Sequence, residues 1–144
     1  MDIDRARAMA RALMDEHGLT RWTLKFTTAK HQGGSCAFDK RTIRLSAPII
    51  DLNDEATVQL IVLHEIAHAL AGPEHGHGPV WKAKARSIGT VPRASLDYQA
   101  PVGAWQATCA CPGRVFTRHR RTGRNVVLCC RSCRTPLHFR KEST

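Results

Sequence analysis

Residues 64–81, HEIAHALAGPEHGHGPVW, concentrate four histidines and two glutamates in a short stretch. His64 and His68 are four residues apart, so in a helix both imidazoles lie on one face and can reach one metal ion. Glu65 completes the pattern H-E-x-x-H, in which the glutamate polarises a metal-bound water and carries its proton. We therefore predict a zinc site with His64 and His68 as ligands and Glu65 as general base. The alternative is a polar helix surface in which the pattern is coincidental.

A zinc ion that activates water needs a third protein ligand and an open fourth position. The longer pattern H-E-x-x-H-x-x-G-x-x-H is excluded, because this chain has Ala71 and Glu74 where that pattern has glycine and histidine. The residues themselves leave Glu74, His75 and His77 open as the third ligand. No role is assigned to the remaining histidines, His17, His31, His119 and His138.

The flanking sequence predicts the elements that must position this site. Apolar residues at helical spacing predict helices, and alternating apolar residues predict strands. The predicted elements are a helix over 3–17, short antiparallel strands at 22–26, 35–38 and 42–45, a helix from Asn53 or Asp54 to Gly72-Pro73, and a helix from Pro79 to Gly89. Residues 89–104 hold two prolines and two glycines, which predicts a linker.

Four cysteines after the linker predict a second metal site. Cys109 and Cys111 form one pair, and Cys130 and Cys133 form another, so four thiolates could make a closed tetrahedral structural site. Residues 114–128 between the pairs predict a hairpin that turns at Thr122-Gly123, which is the layout of a zinc ribbon. The alternative is a set of buried or redox-active thiols. The two other cysteines, Cys36 and Cys129, are interpreted as small apolar residues.

The charge of the chain is concentrated near its C-terminal end. Residues 105–144 carry nine Lys/Arg and one acid, whereas residues 1–104 carry 13 and 11. Such a basic segment predicts a polyanionic partner, with DNA first. Trp105 and Phe116 could stack on unpaired bases, so single-stranded DNA is expected too, although either could instead form the ribbon core. The candidate phosphate contacts are Arg114, Arg118, Arg120, Arg121, Arg124, Arg131 and Arg134.

The two histidine elements resemble the SprT/Spartan family of zinc metalloproteases, whose pattern is H-E-x-x-H, a short loop, and H-G-x-x-[FW]-K. Residues 77–82, HGPVWK, match the second element. The resemblance implies His77 as the third ligand, and Cys130 rather than Cys129 in the ribbon. It also implies an α+β, zincin-like protease domain over 1–104 with a zinc ribbon over 105–144. Such proteins hold one catalytic and one structural zinc and cleave proteins bound or crosslinked to DNA.

Two other interpretations stay open. One is a peptidase resembling ImmA/IrrE proteins, which cut a DNA-bound repressor, and the other is a nucleic-acid-binding protein whose zinc is only structural. The N-terminal residues lack a signal-peptide pattern, and no apolar run approaches the ~20 residues that span a bilayer. We therefore expect a cytoplasmic, nucleoid-associated monomer without membrane contact.

Overall fold

The computed structural model describes residues 1–111 and 113–142, and the chain divides into two units, Met1–Pro101 and Val102–Thr144. The first unit holds four helices and a three-stranded sheet among its described residues, and the second holds short strands around a four-cysteine cluster. The predicted α+β class with a ribbon-compatible C-terminal unit is confirmed. Within the described ranges, no helix is long and apolar enough to cross a membrane.

Helix α1 spans Ile3–Glu16 and begins where the Asp2 carboxylate accepts the backbone N–H of Arg5 at 3.0 Å. An acceptor at this position satisfies one of the free N–H groups of the first turn. The small side chains of Ala6 and Ala10, together with Met14, are fully buried, so α1 packs closely on the core.

Helix α3 spans Glu55–Ala71 and carries the H-E-x-x-H pattern. The Asp54 carboxylate accepts the backbone N–H of Thr57 at 2.9 Å, so Asp54 is the N-cap. The helix ends at Gly72, whose φ of 96° favours glycine. The apolar side chains that fix α3 in the core are Val58, Ile61, Val62, Leu63 and Ile66.

The sheet of the first unit is mixed, which corrects the antiparallel sheet expected from the sequence. Strands β1 (Thr23–Thr27), β2 (Gly34–Ala37) and β3 (Thr42–Ser46) lie in the order β1-β3-β2. β3 pairs antiparallel with β2 and parallel with β1. The alternation of apolar residues identifies a strand, but it does not determine which neighbour the strand pairs with.

Helix α2 (Ala47–Leu52) was not predicted and follows β3 directly. Its N-cap is Ser46, whose hydroxyl accepts the N–H of Ile49 at 3.2 Å. The helix ends at Asn53, whose side-chain amide donates to the carbonyl of Ile49 at 2.7 Å. α4 (Pro79–Ser87) begins with proline as predicted and buries Trp81 and Ala85.

Residues 89–101, interpreted from the sequence as part of a linker, pack on the first unit instead. The Asn53 amide nitrogen donates to the carbonyl of Gln99 at 2.7 Å, and the Gln99 N–H donates back to the Asn53 side-chain oxygen at 2.8 Å. The Tyr98 hydroxyl accepts the N–H of Gly33 at 3.0 Å. Leu96 and Tyr98 also contact the main core, so this segment forms a strap across the unit.

The second unit is built from a three-stranded sheet and a two-stranded sheet rather than the single predicted hairpin over 114–128. β4 (Trp105–Thr108) pairs antiparallel with β5 (Val115–Arg118) and with β8 (Arg140–Lys141). β6 (Leu128–Cys129) pairs with β7 (Pro136–Leu137). Cys109 and Cys111 lie between β4 and β5, and Cys130 and Cys133 lie between β6 and β7. These two connections meet at the cluster of four sulfurs.

Candidate active site and metal centres

Three imidazole nitrogens converge at the C-terminal half of α3. The Nε2 atom of His77 lies 3.0 Å from Nε2 of His64 and 2.9 Å from Nε2 of His68. His64 and His68 are successive-turn residues of α3, and His77 comes from the loop between α3 and α4. The loop turns back through Gly72 and Gly76, whose φ values are 96° and 47°. The structure thus brings together the two helix histidines and the third ligand implied by the resemblance.

The two other candidates for the third ligand lie elsewhere. Glu74 and His75 are exposed loop residues and do not belong to the group of ligand atoms formed by the three converging imidazoles. Glycines at 72 and 76 bracket them, so the loop carries them outward before it returns with His77.

Burial keeps two of the imidazoles neutral. It lowers the pKa of His64 to about 4, with further lowering by His68 and His77. Burial also lowers the pKa of His68 to about 4, with His77 adding to the effect. A neutral imidazole is the form that binds a metal ion, so these histidines need not lose a proton at neutral pH.

Trp81 packs directly against the three histidines of the cluster. This contact was not predicted from the sequence. Its ring is fully buried, and its centroid lies 4.7 Å from that of His64, 5.2 Å from that of His68 and 4.6 Å from that of His77. The spacing of Trp81 and Ala85 is that of the buried face of α4, but spacing alone does not show that this face lies against the histidines. An indole in contact with three imidazoles restricts the orientation of each ring.

Glu65 is buried beside the cluster, against the backbone of β2. A Cβ atom added at Gly34 would lie 2.7 Å from Cγ of Glu65, so glycine is what lets the strand come this close. Loss of hydration raises the pKa of Glu65 from 4.5 to about 8. Without a cation nearby, the carboxyl group therefore holds its proton at neutral pH.

The cluster opens into a cavity of about 430 Å³ between α3, β2 and the strap. Tyr98, Cys36 and Gly34 line it with the histidines and Glu65, and the sequence had assigned none of these three to the site. Burial, and then the nearby Glu65, raise the pKa of the Cys36 thiol to about 12, so it stays protonated. This agrees with the interpretation of Cys36 as a small apolar residue.

The three histidines fit a zinc ion by the chemistry and spacing of their donors. Tetrahedral zinc with metal–nitrogen bonds of about 2.1 Å holds its ligands about 3.4 Å apart. The observed separations of 2.9 and 3.0 Å are close to that value. The roles of these residues as metal ligands remain predictions, and the fourth side of the cluster faces the cavity, as a site open to substrate would require.

The second cluster consists of the sulfurs of Cys109, Cys111, Cys130 and Cys133, all within 4.8 Å of one another. The backbone N–H groups of Cys133 and Ser132 lower the pKa of Cys130 to about 6. Ala107, Phe116, Leu137 and Phe139 pack around these sulfurs. Cys129 is exposed and lies outside the cluster, and four sulfurs at this spacing fit a closed zinc site.

The predicted DNA contacts are spread over the surface of the second unit. All seven candidate arginines are exposed, and Arg121 lies 6.0 Å from the centroid of the Trp105 ring. Phe116 packs against the cysteine cluster, which is the core role that the sequence left open for it. Sequence reasoning missed Lys141, which pairs with Trp105 from the opposite side to Arg118. Two of the predicted arginines, Arg118 and Arg121, therefore lie near Trp105.

Comparison with known proteins supports the fold of the first unit. The sequence matches the SprT-like family over residues 6–101. The structure is similar to the crystal structure of jannalysin, a metallopeptidase zymogen from Methanocaldococcus jannaschii, with a TM-score of 0.50 and 19% sequence identity. The similarity covers 57% of this chain and 79% of that chain, and it shows a shared fold.

We expect the protein to bind two zinc ions, one at each cluster. His77→Ala should abolish or weaken zinc binding at the histidine cluster, because it deletes the nitrogen that both helix histidines face. The His75→Ala variant should still bind both ions. Cys130→Ser should abolish or weaken zinc binding at the cysteine cluster. Metal content after dialysis, measured by mass spectrometry, tests this. If His75→Ala loses an ion and His77→Ala retains it, the third ligand is assigned wrongly.

Gly34→Ala should disturb Glu65 without removing a metal ligand. The added methyl group would overlap the Glu65 side chain, and overpacking of this kind costs about 1–3 kcal/mol. We expect a lower unfolding temperature with unchanged zinc content. Gly123→Ala is a suitable control, because its Cβ would meet Val126 at an ordinary 3.4 Å. Equal unfolding temperatures for Gly34→Ala and the unmodified protein would show that β2 can move away from Glu65 at no cost.

Proposed function

This chain belongs to the SprT-like family, and on that premise we propose that it is a zinc-dependent endopeptidase acting on proteins bound or crosslinked to DNA. The observation that carries the proposal is that Nε2 of His77 lies within 3.0 Å of Nε2 of both His64 and His68, beside a buried carboxyl group and in a cavity of about 430 Å³. His64, His68 and His77 would hold the ion.

Zinc, when bound, supplies the Lewis acidity that activates water and polarises the scissile carbonyl. Glu65 would accept the proton of the attacking water and pass it to the leaving amine nitrogen. Burial favours this exchange, because a carboxylate with little hydration is a stronger base than an exposed one. In the metal-free site, loss of hydration keeps the Glu65 carboxyl group protonated. Zinc bound at the histidines would offset part of this effect.

Strand β2 offers a place for an extended substrate. It pairs with β3 along one edge, and within the described residues no strand pairs with its other edge, which borders the cavity. An extended peptide could add there as a further strand through backbone hydrogen bonds. Recognition through the backbone selects conformation more than sequence, which suits an enzyme that meets many different DNA-bound proteins.

The second unit supports a DNA partner. Trp105 lies in register with Arg118 on one side and Lys141 on the other, so an aromatic face is flanked by two cations on adjacent strands. Such an arrangement can stack on an unpaired base while the cations contact phosphates. We propose that this surface recruits the protease to DNA, including single-stranded DNA.

Glu65→Gln should retain zinc and the fold but lose proteolysis, because an amide cannot accept a proton from water. We expect a decrease of about 10²–10⁴-fold. The measurement is cleavage of a DNA-binding protein in the presence of single-stranded DNA, with metal content as a parallel readout. Glu74→Gln is the matched control, since Glu74 is an exposed glutamate of the same region. Full activity in Glu65→Gln would mean that the histidine site is structural rather than catalytic.

DNA stimulation of cleavage should depend on the cations beside Trp105. The double substitution Arg118→Gln with Arg121→Gln should lower the DNA-stimulated rate and leave the rate without DNA unchanged. The effect should shrink as salt rises, because phosphate contacts release counterions. Lys84→Gln with Arg86→Gln on α4 removes the same charge from the first unit and serves as control. Equal loss in both variants would indicate a general effect of net charge.

A further inference from the structure

The net charge of the first unit conceals a strong internal asymmetry. Residues 21–46 carry six basic residues and one acid, a net charge of +5. The other residues of this unit carry seven basic residues and ten acids, a net charge of −3. The basic part coincides with the three strands and their connecting loops, and its six cations are Arg21, Lys25, Lys30, Lys40, Arg41 and Arg44.

The sheet directs two of these cations away from the core. Ile43 and Leu45 of β3 are fully buried under the helices, so Arg44 between them points to the opposite face. In the same way Leu24 and Phe26 pack on the core, and Lys25 is exposed on the opposite face. We call this opposite surface, with Lys25, Arg44 and Ser35, the outer face.

Lys25, Arg44 and Ser35 form one row across the outer face. Lys25 of β1 lies in register with Arg44 of β3, which lies in register with Ser35 of β2. Adjacent strands are about 4.8 Å apart, so the row spans about 10 Å. Like charges on directly neighbouring strands destabilise a sheet. A bound anion between Lys25 and Arg44 would turn this repulsion into attraction.

The outer face is not neutralised by neighbouring acids. Three ion pairs are found within residues 1–111 and 113–142, and none includes any of the six cations. Five of the six cations are exposed, and Arg44 is half-buried. The cations are therefore available to an external polyanion.

Nucleic acid fits this surface better than a membrane does. The exposed large apolar side chains among the described residues are Leu52, Val80, Val102, Val115, Val126 and Val127, and none is in β1, β2 or β3. Membrane-surface binding needs apolar groups that enter the lipid. Phosphate contacts need cations and hydroxyl donors, which the row of Lys25, Arg44 and Ser35 supplies.

We propose that the outer face of the sheet is a second nucleic-acid-binding surface, located on the first unit and contacting the phosphate backbone. The proposal rests on the proposed function of a protease recruited to DNA, and it adds a DNA contact close to the cleft. Ser35 lies in register with Arg44, and it also lines the cavity together with Gly34 and Cys36 of the same strand. A strand bound on the outer face would therefore lie about one sheet layer, roughly 10 Å, from the cleft.

The test measures binding of the full-length protein to a labelled single-stranded oligonucleotide by fluorescence anisotropy over a salt series. Lys25→Gln with Arg44→Gln should weaken binding by about tenfold at low salt and reduce the slope of log K against log salt by about 1 to 1.5. The same change should appear when Arg118 and Arg121 are already glutamine. Lys84→Gln with Arg86→Gln should leave the slope unchanged.

A second double variant, Lys30→Gln with Lys40→Gln, tests the same surface without changing a strand residue. It is needed if Lys25→Gln with Arg44→Gln disturbs folding of the sheet. These exposed loop residues should give a smaller reduction of the same sign. The proposal would be overturned if both double variants, the one in the strands and the one in the loops, bound DNA with unchanged affinity and an unchanged slope of log K against log salt. So would a loss of binding to phosphatidylserine vesicles or polyglutamate without loss of DNA binding. Because the readout is binding, the result is independent of whether Glu65 catalyses proteolysis.

Discussion

The constraint on which this structure depends is the burial of one carboxyl group and the clustering of three imidazoles at contact distance. Glu65, His64 and His68 lose hydration on burial, and the carboxyl group has no charged partner among the described side chains to offset that loss. Metal-free, its pKa of about 8 exceeds the ordinary 4.5. The folded state therefore binds more protons than the unfolded state between these values, and this term lowers stability as pH rises through the window. A cation at the histidines would reverse much of this cost, so metal binding and folding are coupled.

The backbone around the site follows from this constraint. β2 can lie against Glu65 only because position 34 has no side chain, and a Cβ atom added at Gly33 would lie 3.2 Å from Ile61 of the same helix. The strap then fixes the beginning of β2 through the Tyr98 hydroxyl, and Asn53 fixes the strap through two hydrogen bonds to Gln99. A helix terminus remote from the cavity thus determines the position of one of its walls. This is preorganisation achieved by neutral hydrogen bonds, without further buried charge.

The sequence predicted what depends on local pattern and could not predict what depends on pairing. α1, α3 and α4 follow from apolar spacing and capping residues, and the two histidines of α3 share a face because of helical geometry alone. The position of His77 depends on a loop of glycines, and its choice over His75 required a family resemblance. The parallel pairing of β1 with β3, the strap, and the two sheets of the second unit arise from long-range contacts that periodicity does not encode. Tyr98 had no signal, because a single tyrosine in a segment rich in proline and glycine is also typical of a linker.

Both units carry basic residues on their surface, although the total charge of the first unit does not show this. The net charge of the first unit is small because the acids outside residues 21–46 cancel the cations within them, and two of these cations, Lys25 and Arg44, lie side by side on the outer face. Exposed charges interact over roughly a Debye length, about 8 Å at physiological salt, so an approaching polyanion responds to the local surface and not to the sum. A protease with cations on both units could hold DNA at two points, and the second contact would form at the effective concentration set by the first. Two weak, sequence-independent contacts of this kind would keep the cleft beside the DNA while the protein substrate varied. That behaviour would suit the proposed function, in which the substrates share their attachment to DNA and not a cleavage sequence.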